Sequence, residues 1–164
     1  MNIWMPDGDK FTILRYLDPS DIMLEWGAGG STLYFSKYVK EYHSIEHSPK
    51  YYQQLVNEVA DNTHLYLCEA NASRTLPTQE HQFIDYINYV EKLNIKFDKV
   101  LIDGRARQWC AIKVLKYLNK DAIVFVHDWI RLRYHSVLEH YELIEETSSM
   151  LIDANGLGIL KVKE

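Results

Sequence analysis

The 164-residue chain reads as an α/β domain, a Rossmann-like, doubly wound, mostly parallel sheet with a C-terminal antiparallel hairpin. Three observations predict it. Short apolar runs alternate five times with segments of helical spacing, the pattern of strand–helix–strand crossover units. The first run ends in an acidic residue and a glycine turn, Glu25-Trp26-Gly27-Ala28-Gly29-Gly30-Ser31-Thr32, and then passes into helical spacing. After the fifth strand, residues 141–162 read as two antiparallel strands turned at Asp153-Ala154-Asn155-Gly156.

Taken in order, residues 10–17 have helical spacing, and Asp18-Pro19-Ser20 stops them. The segment 4–8 before them reads as a frayed terminus. Residues 22–24 form a buried strand and 32–39 a helix; 42–46 form a second strand with an acidic end. Ser48-Pro49 opens the next helix, proline being suited to a first helical position. Residues 63–68 alternate as a third strand, 71–80 are polar and loop-like, and 81–93 predict one helix with Phe83, Ile84, Ile87 and Val90 on one face. Residues 97–103 are strand four, 107–118 a helix, 122–126 strand five and 135–139 a short helix.

Composition narrows the class. At 164 residues the chain suits one domain spanning 1–164, and 47% hydrophobic with 25% charged residues is a globular balance. A net charge of −5 argues against nucleic acid as the main partner. Cys68 and Cys110 make neither a disulfide framework nor a metal motif, and both read as small core residues. No cationic leader precedes an apolar stretch, and no apolar run approaches the ~20 residues that span a bilayer. The expectation is a soluble, cytoplasmic protein without a membrane partner; with its tyrosines, a chain this small could pair as a homodimer.

In parallel sheets ligands bind beyond the carboxyl ends of the strands, at the switch point. Glu25, Glu46, Glu69, Asp103 and His127-Asp128 each follow an apolar strand. A nicotinamide fingerprint needs a third glycine where this chain has Thr32, so that reading fails. A carboxylate at Glu25 suits a sulfonium and an amine, and would repel a pyrophosphate. Glu46 lies 19 positions after Gly27, where a second-strand acid meets ribose hydroxyls.

Together with Val100-Leu101-Ile102-Asp103-Gly104-Arg105 and Val124-Phe125-Val126-His127-Asp128, this turn resembles the class I S-adenosylmethionine methyltransferases from about residue 21 onward. The V-F-V-H-D stretch is similar to the glucuronoxylan 4-O-methyltransferase family, which methylates a sugar hydroxyl. Gly30-Ser31 departs from the x-Gly of many class I enzymes. Strand four lacks the [DN]-P-P-[YFW] box of nucleic-acid amino-methyltransferases, which disfavours a DNA base. The resemblance implies that Glu25, Gly27, Ala28 and Gly29 face the methionine part of S-adenosylmethionine, with Ser31 and Thr32 offering hydroxyls and N–H groups. It implies that Glu46 holds the ribose, His47 lies against the adenine, and Glu69-Ala70 read the adenine edge. A solvated strand-end charge is the plain alternative for Glu69.

Methyl transfer to oxygen needs a positioned acceptor and a way out for its proton. Asp103 and Asp128 end neighbouring strands, about 5 Å apart in a sheet, and could share Mg²⁺ or another divalent cation that acidifies a sugar hydroxyl. In the competing assignment, His127 or Asp128 is a general base without metal. Arg105, Arg107, Arg131 and Arg133 follow these strand ends; their forks suit a carboxylate such as a uronic acid's, and Trp129 or Tyr134 could stack on a sugar face. The expectation is an O-methyltransferase acting on a small-molecule or glycan acceptor. The alternatives are a small-molecule O- or N-methyltransferase with another acceptor, and an inactive donor-binding module.

Overall fold

The computed structural model describes residues 5–71, 79–147 and 156–163. Helix α1 (Asp7–Tyr16) precedes strand β1 (Ile22–Trp26), α2 (Gly30–Phe35) with a 3₁₀ turn at Ser36–Tyr38, β2 (Glu41–Glu46), α3 (Pro49–Leu55) and β3 (Thr63–Leu67). Three short helical turns follow, α4 (Gln79–Gln82), α5 (Ile84–Asn88) and α6 (Val90–Leu93). The chain then forms β4 (Phe97–Ile102), α7 (Arg107–Val114), β5 (Leu118–His127), a 3₁₀ segment (Leu132–Glu139), β6 (Tyr141–Thr147) and β7 (Leu157–Val162).

The seven strands order as β3-β2-β1-β4-β5-β7-β6. Strands β1 to β5 pair in parallel, and β7 lies antiparallel between β5 and β6. This is the predicted doubly wound sheet with its closing hairpin. The connecting turn at residues 153–155 lies outside the described residues. The chain runs outward through β2 and β3, then crosses to β4 on the other side of β1. That reversal opens a crevice at the carboxyl ends of β1 and β4.

Period-two alternation divides the apolar residues between two layers. Leu24, Trp26, Val100, Ile102, Val124 and Val126 face one core with Tyr86, Val90, Cys110 and Val114. Met23, Leu101, Ile123 and Phe125 face the other with Ile13 and Phe35. Both cysteines are free, Cys110 buried and Cys68 partly so. Among the described residues no helix is long and apolar enough to cross a membrane.

Three differences from the sequence reading have physical causes. The expected helix over 81–93 breaks at Phe83 and Tyr89, and the Tyr86 carbonyl near the second break accepts a bond from Trp26 Nε1 at 3.0 Å. Strand β5 starts at Leu118, four residues earlier than expected, because a register shift against β4 absorbs the polar Asn119-Lys120-Asp121, with Asp121 at φ 65°. The start of the chain is not frayed where described: Met5 is buried and α1 begins at Asp7.

Phe125→Ala, at a fully buried position, is expected to lower unfolding stability by about 3–5 kcal/mol in urea titration. Phe11→Ala, on the exposed face of α1, should change it by less than about 0.5 kcal/mol.

Candidate active site

The glycine turn is built around a buried carboxylate. Glu25 points to the same face as Met23 and is fully buried. It accepts bonds from Ser31 Oγ (2.5 Å), Thr32 Oγ1 (2.5 Å) and Ser44 Oγ (2.7 Å). Thr32 Oγ1 in turn accepts the N–H of Gly29 at 3.0 Å. Desolvation raises the Glu25 carboxyl to about 7, although the three hydroxyls oppose that rise. Glu25 and Thr32 therefore fasten the turn from behind, and neither lines the cleft. The expected contact of Glu25 with a ligand is corrected: the side chain is consumed by its own loop.

Gly27 sits at φ 100°, and a Cβ there would come within 2.6 Å of the Gly104 backbone. Glycine is needed at Gly27 because the ends of β1 and β4 touch. Gly29 is different. A Cβ there would meet nothing nearer than Ser31 Oγ at 4.0 Å, so packing within the chain does not require it.

In front of the turn lies a cleft of about 610 Å³, a size suited to a small-molecule ligand. Gly27, Ala28, Gly29 and Ser31 line one wall; Glu46 and His47 line another with Lys50, Tyr51 and Gln54 of α3; Asp103, Arg105, Arg107, Asp128 and Arg131 close the far side. Glu46 is almost fully buried and accepts the Ser48 N–H at 2.6 Å. His47 packs edge-on to Phe83 and Tyr86, at 5.4 and 5.7 Å between ring centres. Its Nδ1 is buried 3.1 Å from Glu46 Oε1 without hydrogen-bond geometry. The sequence reading missed Gly104, Lys50, Tyr51 and Gln54. Gln54 lies i+4 from Lys50 and i+3 from Tyr51, a helical spacing that was readable after the acidic end of β2.

At the end of β4 and β5 the side chains form a charge cluster. One residue beyond the Ile102–Val126 pair, Asp103 Oδ1 lies 2.9 Å from His127 Nδ1. His127 Nε2 faces Asp9 Oδ2 of α1 at 3.6 Å, an ion pair too long for a hydrogen bond. Burial alone would lower the imidazole's pKa. Its interactions with Asp103 and Asp9 outweigh burial and the opposing charge of Arg107, raising it to about 9. At neutral pH His127 is an imidazolium, which corrects the general-base assignment for this residue.

Asp128 adopts φ 58°, which turns its side chain back toward α7. Arg107 Nη2 lies 3.2 Å from Asp103 and 3.0 Å from Asp128, and Arg131 Nη2 lies 3.1 Å from Asp128. Arg107 also donates to the carbonyls of Gly104 (3.1 Å) and His127 (2.5 Å). The guanidinium stands where a shared cation was expected between Asp103 and Asp128. With Arg107, Arg131 and protonated His127 already around two carboxylates, these residues do not fit a divalent metal ion. Arg107 is a buried clamp on the strand ends, although it also lines the cleft.

The other expected site residues scatter. Glu69 and Ala70 are exposed just past β3 and are not part of the cleft lining. Trp129 is buried, packs on Gly158, and stacks on His135 at 4.4 Å between ring centres. Tyr134 is buried beside the guanidinium of Arg107. Neither ring is free to stack on an acceptor. Arg105 and Arg131 remain on the cleft wall with solvent access.

No protein-family model matches this sequence, and no curated protein matches it. Solved structures do match its fold. A methyltransferase-like protein from Silicibacter pomeroyi superposes with a TM-score of 0.73 at 20% identity, over 99% of this chain and 88% of its own. A TehB-like SAM-dependent methyltransferase from Corynebacterium glutamicum gives 0.65 at 13% identity, over 99% and 90%. An rRNA methylase from Streptococcus thermophilus gives 0.62 at 13% identity, over all of both chains. The chain is thus similar in fold to class I methyltransferases.

Two buried groups, Glu25 behind the turn and His127 in the charge cluster, set a stability profile. Glu25 titrates at about 7 when folded against an ordinary 4.5, so its contribution is fully present below about pH 4.5 and is lost as pH rises through 7. His127, at about 9 against 6.5, contributes stability that is full below about pH 6.5 and lost as pH rises through 9. Thermal melts from pH 4.5 to 9.5 should show Glu25→Gln flattening the lower window and His127→Gln the upper. At pH 6, His127→Gln should cost on the order of 3 kcal/mol.

Proposed function

We propose that this chain is an S-adenosylmethionine-dependent O-methyltransferase whose acceptor is a hydroxyl of an acidic sugar or glycan. The observation that carries the reading is one cleft holding both a glycine cradle with room at Gly29 and the Asp103 carboxylate. Gly27, Ala28, Gly29 and Ser31 would seat the methionyl end, Glu46 the ribose hydroxyls, and His47, with its unpartnered Nδ1, the adenine side. When bound, the donor supplies a methyl group already activated by a sulfonium.

The protein's task is to aim an acceptor oxygen and remove its proton as the new C–O bond forms. Asp103 is suited to that proton because its side chain reaches the cleft, about one quarter exposed. The His127 imidazolium and Arg107 hold that carboxylate in place, and Asp128 is bound by Arg107 and Arg131. Arg105 and Arg131 present guanidinium groups to the same cleft, the geometry that suits a uronic-acid carboxylate. The V-F-V-H-D likeness to sugar O-methyltransferases supports the same class of acceptor, and the net charge of −5 supports it over a nucleic acid.

Gly29→Ala is expected to weaken S-adenosylhomocysteine binding at least about tenfold in isothermal titration, with the melting temperature nearly unchanged. Unaltered affinity would remove the cradle from the reading. Asp103→Asn should keep donor binding and lower kcat about 10²–10⁴-fold. A wild-type chain that binds the donor but turns over no uronic-acid acceptor would overturn the acidic-sugar reading, leaving another acceptor or a donor-binding module. Arg105→Ala should raise KM for an acidic sugar about tenfold and leave KM for its neutral analogue unchanged.

A further inference from the structure

A second cluster of ligating side chains lies on the sheet edge, far from the cleft. Strand periodicity puts Glu41 and His43 on the same face of β2, and the parallel register sets His43 directly beside His64 of β3. Glu41 Oε1 lies 2.9 Å from His43 Nε2 and 3.2 Å from His64 Nε2. All three donor atoms fall within 4.8 Å of one another. The two imidazoles stack at 4.7 Å between centres with 22° between planes. Behind them, His43 Nδ1 contacts Tyr66 Oη at 3.0 Å.

We propose that Glu41, His43 and His64 form a binding site for a divalent transition-metal ion, with Zn²⁺ the best match. Two imidazoles and one carboxylate are a borderline N₂O donor set, which suits Zn²⁺ and not the all-oxygen preference of Mg²⁺ or Ca²⁺. Tetrahedral Zn²⁺ with bonds near 2.0–2.1 Å separates its ligand atoms by roughly 3.3 Å. The pairs around Glu41 already stand at 2.9 and 3.2 Å, close to that separation, and all three donor atoms lie within 4.8 Å.

Tyr66 provides the support that a ligating histidine needs. Its hydroxyl serves either tautomer of His43: it donates to Nδ1 while Nε2–H bonds Glu41, and accepts from Nδ1–H once Nε2 gives its lone pair to a metal. The buried His43 is thereby preset, while Glu41 and the half-exposed His64 leave solvent a way in. Three protein ligands leave a fourth position for water. Glu41 lies five positions before Glu46 on extended β2, roughly 16 Å along the strand, so the site is distinct from the donor cleft.

The test is titration of the whole purified chain with zinc chloride, followed by calorimetry and by the absorption of Co²⁺ in its place. One equivalent should bind with a Kd of about 10 μM or tighter, and Co²⁺ should show the intense visible bands of a tetrahedral site. His64→Ala, at a half-exposed position of β3, should weaken binding at least about tenfold, and Glu41→Gln should do the same. Absence of a stoichiometric site in the wild type, or wild-type affinity retained in both variants, would overturn the proposal. Binding that His64→Ala leaves intact while His81→Ala or His140→Ala removes it would also overturn it.

Discussion

The buried Glu25 carboxylate is the constraint on which the site's geometry depends. An ionisable group without solvent is tolerated only when its lone pairs are occupied. Here Ser31 and Thr32 from the turn and Ser44 from β2 occupy them. Those bonds tie the end of β1 to the neighbouring strand and to the first turn of α2. Through Thr32 Oγ1 they also fix the N–H of Gly29. Ser31 and Thr32, which depart from the G-x-G-x-x-G pattern, are therefore the partners Glu25 requires. The raised pKa of the carboxyl reflects desolvation that three hydroxyls offset only in part.

A second constraint is charge balance at the ends of β4 and β5. Three carboxylates, Asp9, Asp103 and Asp128, face three cations, protonated His127, Arg107 and Arg131. The equal count decides between two chemistries. A pair of acids alone would invite a dication, whereas acids already matched by guanidinium and imidazolium groups do not. It also explains why α1 matters to the site: Asp9, held by Thr147 Oγ1, places a second carboxylate against His127.

The fold was legible because its signals are local. Apolar runs with period two gave the strands, and the glycine turn, Glu46, Asp103 and His127-Asp128 fell at strand ends where a parallel sheet opens to a ligand. Direction and register were not legible. Glu25 and Glu46 look alike as strand-end acids, yet one is closed behind the turn and the other lines the cleft. Arg107 and Arg131 both follow a strand, but the left-handed Ala106 and Asp128 swing Arg107 inward to bridge the acids. Trp129 was misread because its packing partner, Gly158, is a residue of β7 that local spacing does not connect to it. The Glu41–His43–His64 cluster was invisible for the same reason: a 21-residue gap separates the two histidines, and only the β2–β3 register joins them.

Strand β2 shows how six residues serve two ends of one sheet. Tyr42, Ser44 and Glu46 point to one face, where Tyr42 packs in the core, Ser44 bonds Glu25 and Glu46 enters the cleft. Glu41, His43 and Ile45 point to the other, where the first two meet His64 and Ile45 packs with Trp26. The two sets share a backbone but no side-chain contact face, and their polar groups sit at opposite ends. A cation held by Glu41, His43 and His64 would therefore stabilise the sheet by pinning edge strand β3 to β2, through binding linkage. It would reach the cleft only through the register that sets Glu46, and the β2–β3 backbone ladder already fixes that register from Tyr42 to Glu46. The physical role left for the ion is to hold the edge of the sheet, while the chemistry proposed for the cleft rests on Asp103 and the residues that hold it.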